Sequence, residues 1–319
     1  MRVVVFGAGA VGGFLAARLS RAGHIVVVIG RAATVHAIAQ DGLRLEGRTD
    51  GTFRLAASTD LRGVDRPDLL FLCVKGPDLA GAAASIARAF PDGVPVVALQ
   101  NGLGIERQLA QALGAHGWTD AARWLVRGIH SYGLTLLGPG RVRHAGDGEV
   151  LLPIAWDSLP PELLQRVAEV LGSAGLLVRR VEAFDRELWR KALVNASVNP
   201  VTADHGVENG ALLGEPLRGQ AEHLLREAQA AAAAEGFVFP DAEADRELWR
   251  VVRATAQNRS SMLQDLDRGR RTEIETISGE ILAAGARHGL DLPHTRRAID
   301  RIHRREAEGA ARAGRAPDA

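Results

Sequence analysis

Residues 3–12 read VVVFGAGAVG, a short apolar run that leads directly into the spaced glycines Gly7, Gly9 and Gly12. A helical pattern and a second apolar run, Ile25–Ile29, come next. Between a strand and a helix, this G-x-G-x-x-G spacing predicts a turn that cradles a dinucleotide pyrophosphate, with free N–H groups of the helix start facing the phosphates. An ordinary glycine turn is the plainer alternative. The predicted cofactor-binding residues are Gly7, Ala8, Gly9, Ala10, Val11 and Gly12.

Apolar runs alternate with helical patterns through the first half of the chain, which favours a mostly parallel sheet covered by helices. The strand candidates are Val3–Phe6, Ile25–Ile29, Leu69–Val74 and Pro95–Leu99. Glycine-rich turns between residues 125 and 154 predict antiparallel strands appended to this sheet, and Leu176–Val181 is expected to form a last strand.

Long helical patterns replace the strands from about Ala183 onward. They cover Asp185–Ala203, Glu215–Glu235, Asp241–Asp267, Arg271–His288 and Pro293–Ala310. The predicted fold is therefore α/β, with a Rossmann-type, mostly parallel sheet domain at 1–182 and an all-helical substrate domain at 183–310. We expect residues 311–319 to form a disordered tail.

Charge and composition point to a small-molecule ligand. The chain has 39 basic and 38 acidic residues, for a net charge of +1, which gives no electrostatic reason to bind nucleic acid or an anionic membrane. Cys73 is the only cysteine, so the chain cannot form an internal disulfide. We expect its side chain to be a buried strand thiol. No apolar run reaches the ~18 residues of a membrane span. We expect a cytoplasmic protein without a metal site.

Polar residues follow three of the predicted strands. At the end of the second strand, where an NAD site would carry an acid, the chain reads Gly30-Arg31. An arginine there suits a 2′-phosphate and favours NADP, although a solvated loop cation is the alternative. Lys75 and Asn101 follow two further strands and would point into the crevice where such sheets bind ligands, although a simple turn is the alternative for each strand end.

A polar stripe is predicted on the helix over 187–203, where Lys191, Asn195 and Asn199 recur every four residues. Asparagine is a poor helix former, so two of them in an apolar helix require an explanation. Facing an interdomain cleft, the amides would hold substrate oxygens and Lys191 would donate a proton. The alternative is a polar seam between packed helices, with Lys191 extending to solvent.

A polar cluster interrupts the later helical patterns. It comprises residues 258–265, Asn-Arg-Ser-Ser-Met-Leu-Gln-Asp, and residues 269–275, which contain Glu273 and Glu275. A carboxylate near Lys191 would keep the amine charged and oriented. The residues alone do not choose between Glu273 and Glu275.

The chain resembles the ketopantoate reductase (2-dehydropantoate 2-reductase) family through GAGAVG, Val74-Lys75, Gln100-Asn101-Gly102, LWRKALVNASVNPVTA, SSMLQD and GRRTEIE. The resemblance covers nearly the whole chain in the same order. It implies NADPH-dependent reduction of a 2-keto acid, which for ketopantoate serves pantothenate synthesis. By this resemblance Lys191 would be the general acid, and Glu273 would bind the substrate hydroxyl and pair with the lysine. The substrate site would include Asn195, Asn199, Ser261, Asn258 and Asn101, with Arg31, Lys75 and Asn101 at the cofactor.

Several alternatives remain at the level of sequence. Leu151-Leu152-Pro153-Ile154 departs from the Ile-Gly pair common in the family, and the loop with Trp118 and Trp124 has no family counterpart that we identify. The family resemblance also extends to reductases of other 2-keto acids. The rivals are a β-hydroxyacid dehydrogenase and a non-catalytic NADP sensor. Amphipathic faces such as Leu212–Leu225 fit either a homodimer contact or packing within the domain.

Overall fold

A purely parallel six-stranded sheet forms from the first half of the chain. The computed structural model describes residues 1–156 and 158–313. Its strands are Arg2–Phe6 (β1), Ile25–Ile29 (β2), Leu43–Gly47 (β3), Gly51–Phe53 (β4), Ala56–Ser58 (β5), Leu69–Leu72 (β6), Val96–Ala98 (β7), Leu125–Arg127 (β8), Ile129–His130 (β9), Gly133–Gly138 (β10), Arg141–Gly146 (β11), Val150–Pro153 (β12) and Val178–Val181 (β13). The α-helices are Ala10–Arg21 (α1), Ala32–Asp41 (α2), Leu79–Ala89 (α3), Ile105–Ala115 (α4), Pro161–Ser173 (α5), Phe184–His205 (α6), Leu217–Ala234 (α7), Asp241–Ala254 (α8), Ser261–Leu266 (α9), Glu280–Arg287 (α10) and Pro293–Ala313 (α11).

The strand order of this sheet is β5-β2-β1-β6-β7-β8. The order reverses between β1 and β6, which is the switch point where doubly wound sheets bind ligands beyond the carboxyl ends of their strands. Successive residues of β1 enter different cores: Val3 and Val5 pack in one, and Val4 in the other. This alternation places apolar side chains on both faces of the sheet, which explains the continuous apolar runs of its strands. The predicted Rossmann-type sheet is confirmed.

Two smaller sheets accompany it. Strands β10 and β11 are antiparallel, as expected, but they pair through β11 with β3 in a separate four-stranded sheet. A three-stranded sheet joins β13, β12 and β9. The prediction that antiparallel strands of 125–154 are appended to the main sheet is therefore wrong. Of these strands only β8 joins that sheet, and it pairs in parallel with β7. Strand pairing between distant segments leaves no local sequence signal.

The described residues divide into two compact units, one from 1–100 and 105–184, the other from 101–104 and 185–313. The second unit is helical. The helix predicted over Asp241–Asp267 is in fact two, α8 and α9, separated at 255–260. A π-helical turn, Glu275–Gly279, leads directly into α10. Helix α11 continues to Ala313, three residues into the predicted tail, and residues 314–319 lie outside the described residues.

Apolar residues fill the interior of the helical unit. Ala203, Met262, Leu263 and Ile274 are buried in one cluster. Leu212 and Leu225, which belong to the amphipathic stretch Leu212–Leu225, are each fully buried. Packing within the unit thus accounts for those two leucines. Within 1–156 and 158–313, we find no helix with the length and apolar content of a membrane span.

Candidate active site

The glycine turn between β1 and α1 is built by close backbone contacts. Gly7 has φ = 113° and donates its N–H to Ile29 O at 2.8 Å, and a Cβ there would lie 2.7 Å from backbone atoms of Cys73 and Val74. A Cβ on Gly12 would overlap the Gly7 carbonyl oxygen. These two glycines are therefore required by packing. Burial raises the pKa of the Cys73 thiol, just past β6, to about 12.

Gly9 faces open space instead. A Cβ at this position would meet no protein atom within 4 Å. Gly9 is the N-cap of α1 and has no side chain to cap the helix, whose first bond runs from Gly13 N–H to Gly9 O at 2.8 Å. The N–H groups of residues 10–12 precede that first bond, which is the arrangement that suits a phosphate at a helix start.

Arg31 occupies the N-cap position of α2, at the end of β2. Its side chain is 75% exposed, and its Nη2 lies 3.3 Å from Oδ2 of Asp78, which is itself exposed. An exposed ion pair of this kind contributes little to stability, so the guanidinium is accessible to an anionic ligand. Lys75, partly buried, precedes a 3₁₀ turn over Gly76–Asp78 after β6.

Helix α6 carries the predicted polar stripe. Lys191 and Asn195 are partly buried, and Asn199 is 7% exposed. Pro200 lies inside the same helix and has no N–H to donate to the preceding turn. Nearby hydroxyls bond back to the helix: Ser197 Oγ donates to Leu193 O, and Thr202 Oγ1 to Val198 O.

Glu273 and Glu275, which the residues alone do not distinguish, have different surroundings. Glu273 is 7% exposed, and its Oε2 accepts a hydrogen bond from Asn101 Nδ2 at 3.1 Å. Glu275 is exposed and its Oε1 lies 2.8 Å from His303 Nε2. Only Glu273 is thus buried and held by a second residue of the predicted site.

The segment 101–104 is fixed on the π-helical turn. Leu103 N–H donates to Thr276 O at 2.8 Å. Gly102 has φ = 104°, and a Cβ there would overlap the Thr276 carbonyl oxygen. A glycine is required at this point for the close approach, which sets Asn101 beside Glu273.

Ser261 and Asn258 lie at the start of α9, and both are exposed. The neighbouring Ser260 is buried and caps α9, accepting from Leu263 N–H at 3.2 Å. Ser260 is also bonded to Thr202 Oγ1, at 2.8 Å, which ties the start of α9 to α6. The structure thereby places the Ser261 segment next to the helix that carries Lys191, Asn195 and Asn199.

Two buried polar residues were not predicted as site residues: Arg127 was not noted, and Gln100 was noted only within the motif Gln100-Asn101-Gly102. Arg127 ends β8 and is 1% exposed, and Gln100 is 6% exposed. Neither amide atom of Gln100 has a hydrogen-bond partner among the described residues. A charge inside the apolar run Leu125–Ile129 is the signal that could have identified Arg127.

The tryptophan loop is part of the first unit's core. Trp118 is 4% exposed and its Nε1 donates to Phe90 O at 2.9 Å. Its ring meets the Trp124 ring edge-on, with centroids 6.3 Å apart. Across residues 1–156 and 158–313, no group of three His, Cys, Asp or Glu side chains is arranged to hold a metal ion.

Two regions of the chain match models of one protein family. The family model described as ketopantoate reductase PanE/ApbA matches residues 3–155, and the model of its C-terminal region matches residues 183–306. A 2-dehydropantoate 2-reductase of Archaeoglobus fulgidus is 33% identical over 94% of this chain and 96% of its own length.

Solved structures of related proteins have a similar fold over nearly the whole chain. A PanE/ApbA family ketopantoate reductase from Ralstonia eutropha has a TM-score of 0.85 and 30% identity, covering 97% of this chain and 99% of its own. D-mandelate dehydrogenase, in a ternary structure with NADH and anilino(oxo)acetate, shares the fold with a TM-score of 0.86 at 23% identity, over 97% of this chain and 99% of its own. The chain therefore belongs to the ketopantoate reductase family, a family of oxidoreductases.

Proposed function

We propose that this protein uses NADPH to reduce a 2-keto acid to the 2-hydroxy acid, with 2-dehydropantoate as the leading substrate and pantoate as its product. The relatives named 2-dehydropantoate 2-reductase support this substrate. Other 2-keto acids are the second candidate, because membership in a fold family does not fix the substrate.

The residues of the first unit fit a dinucleotide phosphate. NADPH, when bound, supplies the hydride that is added to C2 of the keto acid. The open space at Gly9 and the uncapped start of α1 would receive the pyrophosphate, and the exposed Arg31 would contact the 2′-phosphate. Lys75 and Asn101 would lie beside the cofactor, with Asn101 also contacting substrate.

The observation that carries the proposal is the use of lysine. Of the 39 basic residues, only Lys75 and Lys191 are lysines, and both belong to the predicted site. A guanidinium stays protonated in proteins, whereas an ammonium can release a proton. In a chain whose cations are otherwise arginines, a lysine at position 191 fits a position where a proton must leave the side chain.

The chemistry then divides among residues of the helical unit. Hydride addition to C2 puts negative charge on the carbonyl oxygen, and Lys191 donates a proton from Nζ to that oxygen to complete the hydroxyl. Asn195 and Asn199 would hold the substrate's oxygens. Glu273, oriented by Asn101, would accept a hydrogen bond from the substrate hydroxyl and pair with Lys191, while Ser261 and Asn258 would line the site.

The test is NADPH oxidation with 2-dehydropantoate and a panel of branched and aromatic 2-keto acids, with NADH as the alternative reductant. We compare the unmodified chain with Lys191→Ala and Lys191→Arg. Both variants should lose ~10²- to 10⁴-fold in turnover, because Lys191→Arg keeps the charge but is a very weak acid. NADPH binding, followed by its fluorescence, should be largely retained in both.

Each outcome is informative. Preference for another keto acid keeps the mechanism and changes the substrate. Turnover by Lys191→Arg at the unmodified rate would show that charge suffices and would remove Lys191 as the acid. NADPH binding without reduction of any keto acid by the unmodified chain would replace the reductase with the sensor.

A further inference from the structure

Arg127 is the largest side chain among those fully buried in the described residues. Its guanidinium donates to three backbone carbonyls: Nη1 to Ala98 O at 3.0 Å and to Gly128 O at 2.9 Å, and Nη2 to Gln100 O at 2.7 Å. Its Nε lies 3.7 Å from Glu106 Oε2. Burying a charge is costly, and an apolar side chain of similar volume would fill the same space. Packing alone therefore does not account for an arginine here.

The partners of Arg127 lie on both sides of one short segment. Gln100 immediately precedes Asn101, and Glu106 is in the first turn of α4, two residues after Gly104. The Gln100 carbonyl and the Asn101 N–H belong to one planar peptide group. A hydrogen bond to that carbonyl therefore fixes the orientation of the peptide from which the segment 101–104 begins.

The segment itself carries the contact that orients Glu273. The Asn101 side chain donates a hydrogen bond to Glu273. Two residues after Asn101, the Leu103 N–H donates to Thr276 O. A Cβ at Gly102 would overlap the Thr276 backbone, so no residue with a side chain fits at this position. A small change in the peptide at Gln100 would consequently be transmitted to the Asn101 amide.

We propose that Arg127 is a positioning residue that holds Gln100 and Glu106 on either side of the segment Asn101–Gly104 and so sets the Asn101 amide on Glu273. Its effect on catalysis rests on the proposed function; its effect on the segment does not. A rigid fork of five N–H donors can meet three divergent carbonyls, whereas the three donors of a lysine sit on one nitrogen.

The first experiment measures order in the segment. We compare amide hydrogen exchange of the full chain with Arg127→Met, Arg127→Lys and, as a matched control, Arg123→Met, which removes an exposed arginine of the same region. Arg127→Met should speed exchange in residues 101–104, including the Leu103 N–H, at least about tenfold while α1 stays protected. The control should change neither. If Arg127→Met does not fold, Arg127→Lys and Glu106→Gln should show the same local change to a smaller degree, and unchanged exchange in these variants would overturn the proposal.

The second experiment is a double-mutant cycle on kcat/KM with the preferred keto acid. Arg127→Met should lower kcat/KM about 10- to 100-fold, because small misplacement of a substrate-contacting group has effects of that size. In the Asn101→Ala background the same change should cost less than about threefold, since the group through which it acts is already gone. If Arg127→Met lowered kcat/KM by the same factor in both backgrounds, Arg127 would have a merely structural role and the proposal would be overturned. If the unmodified chain reduces no keto acid, the proposed function fails, and the exchange experiment still decides the role of Arg127.

Discussion

Arg31 is the residue on which the predicted preference for NADPH depends. Replacing it with alanine removes one charge-assisted contact to a phosphate, which corresponds to about a 10- to 100-fold loss in kcat/KM with NADPH. The value with NADH should change little, because NADH has no 2′-phosphate. The measurement is the ratio of kcat/KM for the two reductants in Arg31→Ala and in Arg62→Ala, a control at an exposed arginine paired with Asp60. An unchanged ratio in Arg31→Ala would mean that the 2′-phosphate is bound elsewhere.

Single residues also show the limit of sequence reasoning about the site. The glycines, Arg31 and the Lys191 stripe could be named as candidate site residues because each follows from a local spacing or a strand end. Glu273 and Glu275 could not be separated by spacing, since what distinguishes them is burial beside Asn101, which lies 172 residues away in the chain. The sequence shows Arg127 as a charge inside an apolar run, but it does not show what Arg127 binds, because the acceptors of its hydrogen bonds are backbone carbonyls.

The break between α8 and α9 also depends on contacts with a distant segment that the local sequence does not reveal. Residues 254–260 contain neither glycine nor proline, so the sequence predicts a continuous helix. In the structure, Ala256 O accepts from Gly210 N–H and Asn258 O from Asn209 N–H, each at 2.9 Å. Carbonyls that would continue the helix are thus used by a distant segment. The long helices with uninterrupted patterns, such as α6 and α7, were correctly predicted to within a few residues.

Ser260 begins the second of these two helices, and its removal has a measurable cost. Ser260→Ala should lower the free energy of unfolding by about 1 to 3 kcal/mol, because α9 loses its N-cap and the buried Thr202 hydroxyl loses a partner. Ser261→Ala is the matched control: its side chain is exposed, and it should change stability by less than about 0.5 kcal/mol. Urea unfolding measures both. Equal stability of the two variants would show that the cap contributes nothing.

Across the whole molecule, acid should destabilise the fold in two stages. Burial is the main cause that lowers the pKa of His24, His144 and His294, although Asp147 opposes it at His144. A lowered histidine pKa means that the folded state binds protons less readily than the unfolded state. The contribution of these histidines to the free energy of unfolding is therefore fully present above their unfolded-state pKa of ~6.5. It is lost as pH falls from that value through the lowered pKa of the folded state. Carboxylates whose pKa is lowered by arginines, such as Glu247 beside Arg250, act only at lower pH.

The first stage can be isolated at one buried histidine. His144 packs against the Phe14 ring, and its Nδ1 lies 3.0 Å from Thr49 Oγ1. His144→Gln should make the thermal midpoint fall less between pH 7 and pH 5 than it does in the unmodified chain. His116→Gln, at an exposed histidine, serves as the control. Parallel pH profiles for the unmodified chain and His144→Gln would contradict the assignment.

The segment Asn101–Gly104 belongs to the helical unit although the chain on both sides of it belongs to the sheet unit. During synthesis, Asn101 leaves the ribosome 172 residues before Glu273 does. At ~5 to 20 residues per second, this interval is roughly 10 to 35 s. Throughout that time Asn101 and Leu103 have been synthesised, but their hydrogen-bond acceptors, Glu273 and Thr276, have not. The order of translation therefore prevents this contact from forming until the chain has been made as far as residue 273.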